Sequence, residues 1–245
     1  MDNIVFKKVS VFYQVKKDYI NALDEVDVVF ENGKTSVIIG PTGSGKTTLI
    51  KCLTAQLMYQ GDIFLGDKNL EEIKVKDRNF SYVNQDISLY PKMIVYDNIA
   101  FPLRNLKISR DEMDFKVKEI AKKFGIALLL TRKVTELSLG QQQKVALAKA
   151  LIKCPEFLLL DEPFSNLDNE SKENIIEHLK AYLNETKTSV ILVTHDLNEC
   201  FKFADFIYPL VDNKIIGAFT KESIKKCKNK EIQQMLKSGL LWKRK

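Results

Sequence analysis

The sequence has no uninterrupted apolar run of about eighteen residues, the length that a membrane-spanning helix requires. Its opening segment, MDNIVFKKVS, also lacks the apolar stretch of a secretory signal. We therefore expect neither a transmembrane helix nor a signal peptide. The chain is expected to stay in the cytoplasm unless a partner holds it at a membrane.

Cysteine is scarce and irregularly spaced. Cys52, Cys154, Cys200 and Cys227 include no CxxC pair, and each lies in or beside an apolar stretch. This pattern favours reduced, structural thiols over disulfides or a zinc site. Internal repeats and low-complexity linkers are also missing, and 245 residues with 45% hydrophobic content are enough for one large domain with a substantial core.

Most of the chain has no excess of positive charge, although the formal net charge is +6. Residues 221–245 contain nine Lys or Arg and two Glu, which leaves 29 basic and 30 acidic residues in the first 220. A nucleic-acid-binding domain is expected to have a basic face, so we expect no nucleic-acid partner. The basic tail is predicted to form solvated helices, with anionic lipid or an acidic protein as alternative contacts.

The order of strand and helix patterns predicts an α/β fold with a mostly parallel core sheet. TSVIIG and FLLLDEP are apolar runs typical of strands covered on both faces, and SVILVTHD continues the alternation. Helices are predicted over 46–57 and 169–183, an antiparallel β part near the N-terminus, and a hairpin turn at Asp212-Asn213.

A helical subdomain is predicted over about residues 90–153, inserted in the α/β core of a single domain that covers residues 1–245. Ser109 with Glu112 forms a capping-box pattern at the start of one of its helices. The apolar positions of that helix are Phe115, Val117, Ile120, Ala121 and Phe124.

GPTGSGKTT, residues 40–48, matches the phosphate-binding pattern G-x-x-x-x-G-K-[ST] and lies between a predicted buried strand and a predicted helix. Its glycines allow a loop whose N–H groups surround phosphates. Lys46 can reach the β- and γ-phosphates, and the Thr47 hydroxyl can ligate Mg²⁺. This strand-loop-helix context favours nucleotide binding over a simple glycine-rich turn.

Asp161 and Glu162 follow the buried run FLLL, at the strand edge where ligands of α/β proteins gather. Asp161 is predicted to hold Mg²⁺, and Glu162 to polarise an attacking water as a general base. Alone, the pair would more often be a helix cap or a turn. His195 ends SVILVTH at the same edge, where it can hydrogen-bond a γ-phosphate or the water, or be structural.

SLGQ, residues 138–141, has the pattern of a helix N-terminus. Ser138 with Gln141 is a second capping-box pattern, and apolar residues recur at helical spacing through Ile152. Such a terminus carries unpaired N–H groups and a partial positive charge, and Gly140 lets an anion approach closely. A capped helix without a ligand is the alternative.

These motifs, in this order and approximate spacing, resemble the ATP-binding cassette of ABC transporters, and the resemblance covers nearly the whole chain. The matching segments are the P-loop, Gln85 in YVNQD, LSLGQ, LLLDEP, SNLD (165–168) and THD. The resemblance implies ATP hydrolysis with Mg²⁺ in a head-to-tail dimer, in which LSLGQ of one cassette acts on ATP held by the P-loop of another. The second cassette can be identical or different.

The resemblance also assigns individual roles. Tyr13 would stack on adenine, although packing within its strand is nearly as good an interpretation. Leu139 stands where the family has Gly; as the first helical residue it takes an ordinary negative φ, which Leu tolerates. The predicted ATP-binding residues are Tyr13, Gly40, Pro41, Thr42, Gly43, Ser44, Gly45, Lys46, Thr47, Thr48 and Gln85. The predicted metal ligands are Thr47, Gln85 and Asp161, and the predicted catalytic residues are Glu162, His195 and Lys46. The residues predicted to act on the partner's ATP are Ser138, Leu139, Gly140 and Gln141. Asp168 is predicted to communicate between the two ATP sites.

The segment Ser88–Asn105 is similar to the stretch of importer ATPases that helps to dock a membrane subunit. Internal packing of its apolar residues Ile94, Tyr96, Ile99 and Phe101 is the alternative interpretation. The resemblance therefore implies import through separate permease subunits, contacted near Ile94–Phe101 on the inner face of the membrane. A short export or lipoprotein-release system is the alternative, because the long C-terminal β domain of many sugar importers is missing. A soluble ABC ATPase of DNA repair or translation is less favoured, since its coiled-coil insertion or second cassette is also missing.

Overall fold

Two units divide the chain, one formed by the residues up to Phe80 together with those from Ser189 onward, and the other by Ser81–Thr188. The structure is a computed structural model that describes residues 2–16 and 18–237. The strands are β1 (Ile4–Val15), β2 (Asp18–Phe30), β3 (Thr35–Ile39), β4 (Gln60–Leu65), β5 (Lys68–Asn69), β6 (Phe80–Val83), β7 (Phe157–Asp161), β8 (Ser189–Thr194), β9 (Phe206–Val211) and β10 (Lys214–Ile215). The α-helices are α1 (Lys46–Leu53), α2 (Val95–Ala100), α3 (Arg110–Lys123), α4 (Leu139–Leu151), α5 (Asn169–Thr186), α6 (Leu197–Phe203), α7 (Lys221–Lys225) and α8 (Lys230–Lys237).

The first unit contains the predicted antiparallel β part. Its strands lie in the order β2-β1-β4-β5, and all neighbours are antiparallel. Ile4 and Phe6 of β1 and Phe30 of β2 are buried, and the Phe6 and Phe30 rings meet edge to face at 5.8 Å. These apolar side chains form the face of the sheet that packs into the core.

The core strands of the first unit follow the order β10-β9-β3-β8. β3 is parallel to both β8 and β9, so that Ile39 at its end is in register with Thr194. β10 returns antiparallel to β9 through Asp212 and Asn213, which have φ of 45° and 66°. The parallel core and the hairpin turn are therefore as predicted, and the ends of β3 and β8 lie side by side.

Helix α1 ends at Leu53, four residues before the predicted end at Leu57. Ala55 takes a left-handed φ of 54°, and the N–H of Gln56 donates to the Lys51 carbonyl oxygen at 2.9 Å. The Thr54 hydroxyl also donates to the Ile50 carbonyl oxygen. These bonds close the helix through a C-terminal turn, and α1 is correspondingly short.

In the second unit, β7 is buried throughout and lies next to β6. Helices α2, α3 and α4 with short 3₁₀ turns occupy most of residues 95–151, while their status as an inserted subdomain stays a prediction. Val117 and Ile120 of α3 and Phe124 directly after it are buried, but Phe115 is 65% exposed, so its predicted place on the apolar face was wrong. Phe115 precedes Val117 by two residues, and side chains two residues apart lie on nearly opposite sides of a helix.

The described C-terminal helices pack within the first unit, because α7 contacts β9 and α8 contacts α7. Ile224, Ile232 and Met235 are buried there. The predicted basic tail is thus two short helices up to Lys237, and its remaining residues, 238–245, lie outside the described part of the chain. No helix among the described residues is long and apolar enough to cross a membrane.

Candidate functional site

The loop between β3 and α1 requires glycine at defined positions. Gly45 has a φ of 99°, and a Cβ there would lie 2.2 Å from the Ala22 carbonyl oxygen. A Cβ on Gly40 would lie 2.2 Å from the Leu210 carbonyl oxygen, and Gly43 has a φ of 81°. The glycines therefore fit the loop closely against the backbone of β2 and β9.

The Lys46 side chain is held inside this loop. It is 5% exposed, and its Nζ donates to the carbonyl oxygens of Gly40 at 3.0 Å and Pro41 at 2.9 Å. The loop backbone thus positions the ammonium group at the N-terminus of α1. A positive charge fixed beside helix N–H groups suits an anionic ligand.

Two further features of the loop favour an anion. Gly45 caps α1 without any side-chain hydrogen bond, and the first turn of α1 contains no acidic residue. The Ser44 hydroxyl oxygen is buried and has no hydrogen-bond partner among the described residues. Buried polar groups are normally paired, so this hydroxyl indicates a ligand group for which the loop is built.

Tyr13 is tied to the same region. Its hydroxyl lies 3.2 Å from the Thr48 Oγ1, which joins β1 to the first turns of α1. The side chain is half-buried, with its residue paired to Ile20 of β2. This contact gives Tyr13 a structural role, and adenine stacking stays a prediction.

His195 follows β8 directly and is exposed. The neighbours on both sides are fixed: the Thr194 hydroxyl donates to Glu199 Oε2 at 2.6 Å, and Asp196 caps α6 by accepting the N–H of Asn198 at 2.8 Å. Because β8 is parallel to β3, His195 and the loop from Gly40 emerge at the same edge of the first unit.

Asp161 ends β7 in the second unit and is only 4% exposed. The Tyr82 hydroxyl donates to Asp161 Oδ2 at 3.3 Å. Burial, and then the nearby carboxylate, raise the pKa of Tyr82, so that its hydroxyl stays a donor. The strand and this bond hold a buried carboxylate in a defined orientation.

Glu162 has a φ of 46°, in the left-handed region that residues other than glycine rarely adopt. The hydroxyl and N–H of Ser165 both donate to the Glu162 carbonyl oxygen, at 3.0 and 3.3 Å. The turn therefore stabilises an unfavourable backbone conformation directly after β7. Such strain of about 1–3 kcal/mol occurs preferentially at functional sites.

The predicted helix N-terminus at SLGQ is confirmed. Ser138 caps α4, its Oγ accepts the Gln141 N–H at 3.3 Å, and Gln141 Oε1 accepts the Ser138 N–H at 3.1 Å. Leu139 is the first helical residue and is 44% exposed. The capping box thus fixes the helix start with an apolar side chain beside it.

The N-termini of α4 and α5 lie together in the second unit. Asp168 caps α5 by accepting the Ser171 N–H at 2.9 Å, and this bond lowers the pKa of the Asp168 carboxyl. A Cβ on Gly140 would lie 3.1 Å from the Ser171 side chain. Ser138, Gly140, Gln141 and Asp168 line one cavity of about 420 Å³. Sequence spacing did not indicate that Asp168 belongs beside this helix start.

Gln85 is exposed in the loop after β6, and it lines a second cavity together with Leu139. The structure therefore groups the predicted residues within each unit. Pro41, Thr42, Thr47 and the loop residues described above belong with Tyr13 and His195 in the first unit. Gln85, Asp161, Glu162, Asp168 and residues 138–141 belong to the second.

The predicted docking segment is only partly exposed. Ile99 is fully buried and belongs to the core, whereas Ile94, Tyr96 and Phe101 are half-buried. Tyr90 is 38% exposed and its ring lies 4.4 Å from that of Phe101. The apolar surface available to a partner is therefore formed by Ile94, Tyr96 and Phe101, without Ile99.

Comparison with known proteins gives a family match. The sequence model of a family described as ABC transporter matches residues 23–165. This range contains the Gly40–Thr48 loop, the capped start of α4 and the Asp161-Glu162 pair.

Similar proteins of known sequence include two import subunits. The molybdate/tungstate import ATP-binding protein of Pyrococcus horikoshii is 37% identical over 225 residues, which are 91% of this chain and 65% of that protein. The glucose import ATP-binding protein of Saccharolobus solfataricus is 37% identical over 230 residues, again 91% of this chain and 65% of that protein. The chain thus spans just under two thirds of the length of these curated relatives.

A solved structure is similar over nearly its whole length. It is an ATP-binding cassette determined as a dimer in a post-hydrolysis state bound to ADP and Pi, with a TM-score of 0.79 and 27% identity. The alignment covers 89% of this chain and 98% of that cassette. The α/β fold with its antiparallel N-terminal part is therefore shared with that cassette.

Proposed function

This chain belongs to the ABC transporter family, and on that basis we propose that it is the ATP-hydrolysing subunit of an importer. It binds ATP, pairs head to tail with a second ATPase subunit, and drives transport through separate membrane subunits. The observation that carries the proposal is the loop from Gly40 to Thr48. It combines glycine-dependent backbone, a buried Lys46 ammonium and an unpaired Ser44 hydroxyl at one helix N-terminus.

The predicted magnesium ligands fit the ion by their chemistry. Thr47, Gln85 and Asp161 offer hydroxyl, amide and carboxylate oxygens, which Mg²⁺ prefers, and Asp161 is already buried and oriented by Tyr82. Among the described residues, no group of three His, Cys, Asp or Glu side chains could hold a metal ion. Mg²⁺ in nucleotide sites generally takes one or two carboxylates together with substrate phosphates. When bound, Mg²⁺ neutralises charge on the phosphates.

The protein groups divide the chemistry between them. Glu162 orients a water and accepts its proton as the water attacks the terminal phosphorus. Lys46 and the N–H groups of the loop bind the oxygens on which negative charge increases. His195, at the same edge as the loop, donates a hydrogen bond to the terminal phosphate. The strained Glu162 backbone supports this assignment, because such strain occurs preferentially at functional sites.

In the proposed dimer, the start of α4 acts on ATP bound by the other subunit. Ser138, Gly140 and the N–H groups of the first turn contact the terminal phosphate. Asp168 lines the same cavity, so a change in that contact also affects Asp168 and the start of α5. The dimeric state of the similar cassette supports this arrangement.

Import is supported by the names of the relatives, which are import ATP-binding proteins. Those two proteins serve different cargoes, molybdate or tungstate and glucose, so similarity does not identify the cargo of this chain. We propose that the permease docks on Ile94, Tyr96 and Phe101, which places the subunit on the inner face of the membrane. The partly exposed apolar side chains of this segment support the proposal.

The proposal is tested with purified Glu162→Gln and Lys46→Ala variants. Glu162→Gln should bind ATP but hydrolyse it at least about 10²-fold more slowly, the usual loss on removing a general base. Lys46→Ala should weaken ATP binding itself, because the loop loses its fixed positive charge. Binding is measured by calorimetry and hydrolysis by phosphate release, in the presence of Mg²⁺.

Matched control variants for this test are Glu177→Gln, which removes the charge of an exposed carboxylate on α5, and Lys51→Ala on α1. Both lie outside the proposed chemistry, and ATP binding and hydrolysis should remain near those of the native chain. Near-normal hydrolysis by Glu162→Gln would remove Glu162 from its role. A native chain that neither binds nor hydrolyses ATP would refute the proposed function.

A further inference from the structure

The side-chain amide of Gln143 has no acceptor among the described residues. Gln143 lies in the second turn of α4 and is 2% exposed, and its Nε2 makes no hydrogen bond in that part of the chain. The neighbouring Gln142 amide, by contrast, donates to the Leu137 carbonyl oxygen at 3.0 Å. A buried donor without a partner is unfavourable and rare, so Gln143 requires an acceptor that this arrangement of the chain does not supply.

A cavity of about 270 Å³ lies against Gln143 within the second unit. Three segments line it: residues 85–87, the first turns of α4, and residues 163–167 after β7. Leu139 and Leu167 contribute apolar side chains to the lining. The unpaired amide therefore lies where the segment of Gln85 meets the helix that begins at Ser138.

Asp86 is the strongest acceptor in this cavity. Its carboxylate is exposed, lines the cavity, and makes no hydrogen bond or ion pair with the residues that the structure describes. A hydrogen bond to an ionised carboxylate is about twice as strong as one between neutral groups. Asn166, which also lines the cavity, offers only a neutral amide oxygen.

We propose that Gln143 is a positioning residue whose amide donates to the Asp86 carboxylate and holds the Gln85 segment against α4 while MgATP is bound. The inference rests on the proposed function, since it takes Gln85 as a nucleotide-contacting residue. Because Asp86 is adjacent to Gln85, fixing Asp86 restricts the positions open to the Gln85 side chain. The apolar lining, which includes Leu139, excludes water as the segment closes and strengthens the bond.

The contact predicts a defined linkage. A bond that forms only with MgATP bound raises MgATP affinity, and MgATP strengthens the bond by the same factor. We test this by calorimetric titration of MgATP into the full chain in a Glu162→Gln background, which prevents turnover. Gln143→Met and Asp86→Ala should each weaken binding about tenfold, and the double variant should be no weaker than either, since all three lose one bond.

A second readout is urea unfolding without nucleotide. Gln143→Met keeps the side-chain volume and removes an unpaired donor, so its unfolding midpoint should equal or exceed that of the parent. Gln142→Met is the matched control: it loses the bond to the Leu137 carbonyl and should unfold earlier, but its MgATP affinity should not change. Asp86 is exposed in a loop, so Asp86→Ala tests the same contact without changing a buried residue.

Additive losses in the double variant, or native-like MgATP affinity in both single variants, would overturn the proposal. A lower unfolding midpoint for Gln143→Met without nucleotide would also overturn it, because the amide would then already have an acceptor, such as an internal water. Failure of the parent chain to bind MgATP would instead count against the proposed function, so the two failures are distinguishable.

Discussion

Leu139 gives a direct test of the proposed dimer, because it is the first residue of α4 and is 44% exposed. Aspartate at this position favours the helix, since a carboxylate in the first turn complements the helix dipole by about 0.3–1 kcal/mol. The same carboxylate lies beside the N–H groups proposed to meet the partner's ATP. Leu139→Asp should therefore fold as well as the native chain and oppose dimer closure.

Gly140 is a poorer position for this test. A side chain there would press on Ser171, with a Cβ 3.1 Å from its atoms, so Gly140→Asp would disturb the contact between α4 and α5 as well as the phosphate. At Leu139 the main effect is charge. Two unit charges 4 Å apart near a protein surface repel by about 4 kcal/mol, which corresponds to roughly 10³-fold less closed dimer.

The assay mixes Leu139→Asp with Lys46→Ala in differently tagged subunits, together with the permease. Each variant alone should be nearly inactive. In the mixed dimer one site collects both defects, while the other combines the intact loop of one subunit with the intact α4 of its partner. Single-turnover hydrolysis should therefore reappear in the mixed dimer. Leu139→Asn, of the same size but neutral, should lose far less activity than Leu139→Asp.

A verified mixed dimer with no hydrolysis above either parent would contradict the head-to-tail arrangement, provided that ATP-dependent closure is also missing while the native chain closes. Closure without hydrolysis would indicate coupling between the two sites instead. If closure is missing in the mixture while Leu139→Asn alone remains active, the loop and α4 of one chain would act at the same site.

Tyr13→Phe should lower the free energy of unfolding by about 0.5–1.5 kcal/mol, because the hydrogen bond to Thr48 is lost. If the Tyr13 ring stacks on adenine, Tyr13→Ala should weaken the binding of ATP, measured by calorimetry, but not the binding of tripolyphosphate. Equal losses for both ligands would leave only a packing role. Gly45→Ala should reduce the melting temperature and ATP affinity, because its φ of 99° costs an alanine at least about 1 kcal/mol and its Cβ meets a carbonyl oxygen. A native-like melting curve would show that the loop can move. A thiol reagent should modify the exposed Cys154 before Cys52 at pH 8, because burial raises the pKa of the Cys52 thiol to about 12; the order is read by mass spectrometry, and the reverse order would contradict it.

Local sequence patterns predicted what depends on neighbouring residues. The capping box at Ser138 and Gln141 and the turn at Asp212-Asn213 each involve residues within a few positions, and both are present. The apolar run of β3 likewise indicated a buried parallel strand. The capping box and the hairpin turn need no long-range information, because their hydrogen bonds close within one turn or between two consecutive strands. For β3 the sequence indicated burial, whereas its neighbours β8 and β9 lie far away along the chain.

Long-range contacts were not predictable in this way. The exposed position of Phe115 and the buried position of Ile99 depend on which helix face meets the rest of the second unit. The end of α1 at Leu53 depends on the turn at Ala55, which an alanine does not signal. Asp168 reached its place beside Gly140 because α5 packs on α4, and a gap of more than twenty residues gives no sign of that contact.

Positions that violate a local preference, such as a buried unpaired polar group or a left-handed backbone, are also informative. Ser44 has a buried unpaired hydroxyl, Gln143 a buried unpaired amide and Glu162 a left-handed backbone, and each raises the free energy of the folded chain. Sequences usually satisfy such groups, so violations that persist are expected where a bound ligand or a moving segment supplies the compensation. Ser44 and Glu162 lie in segments assigned to nucleotide chemistry from the sequence, whereas Gln143 does not. The unpaired Gln143 amide indicates that the helix beginning at Ser138, like the phosphate loop, gains a missing partner when the chain binds its ligand. Substitution of Gln143 therefore discriminates best between a static core and a chain that rearranges around ATP.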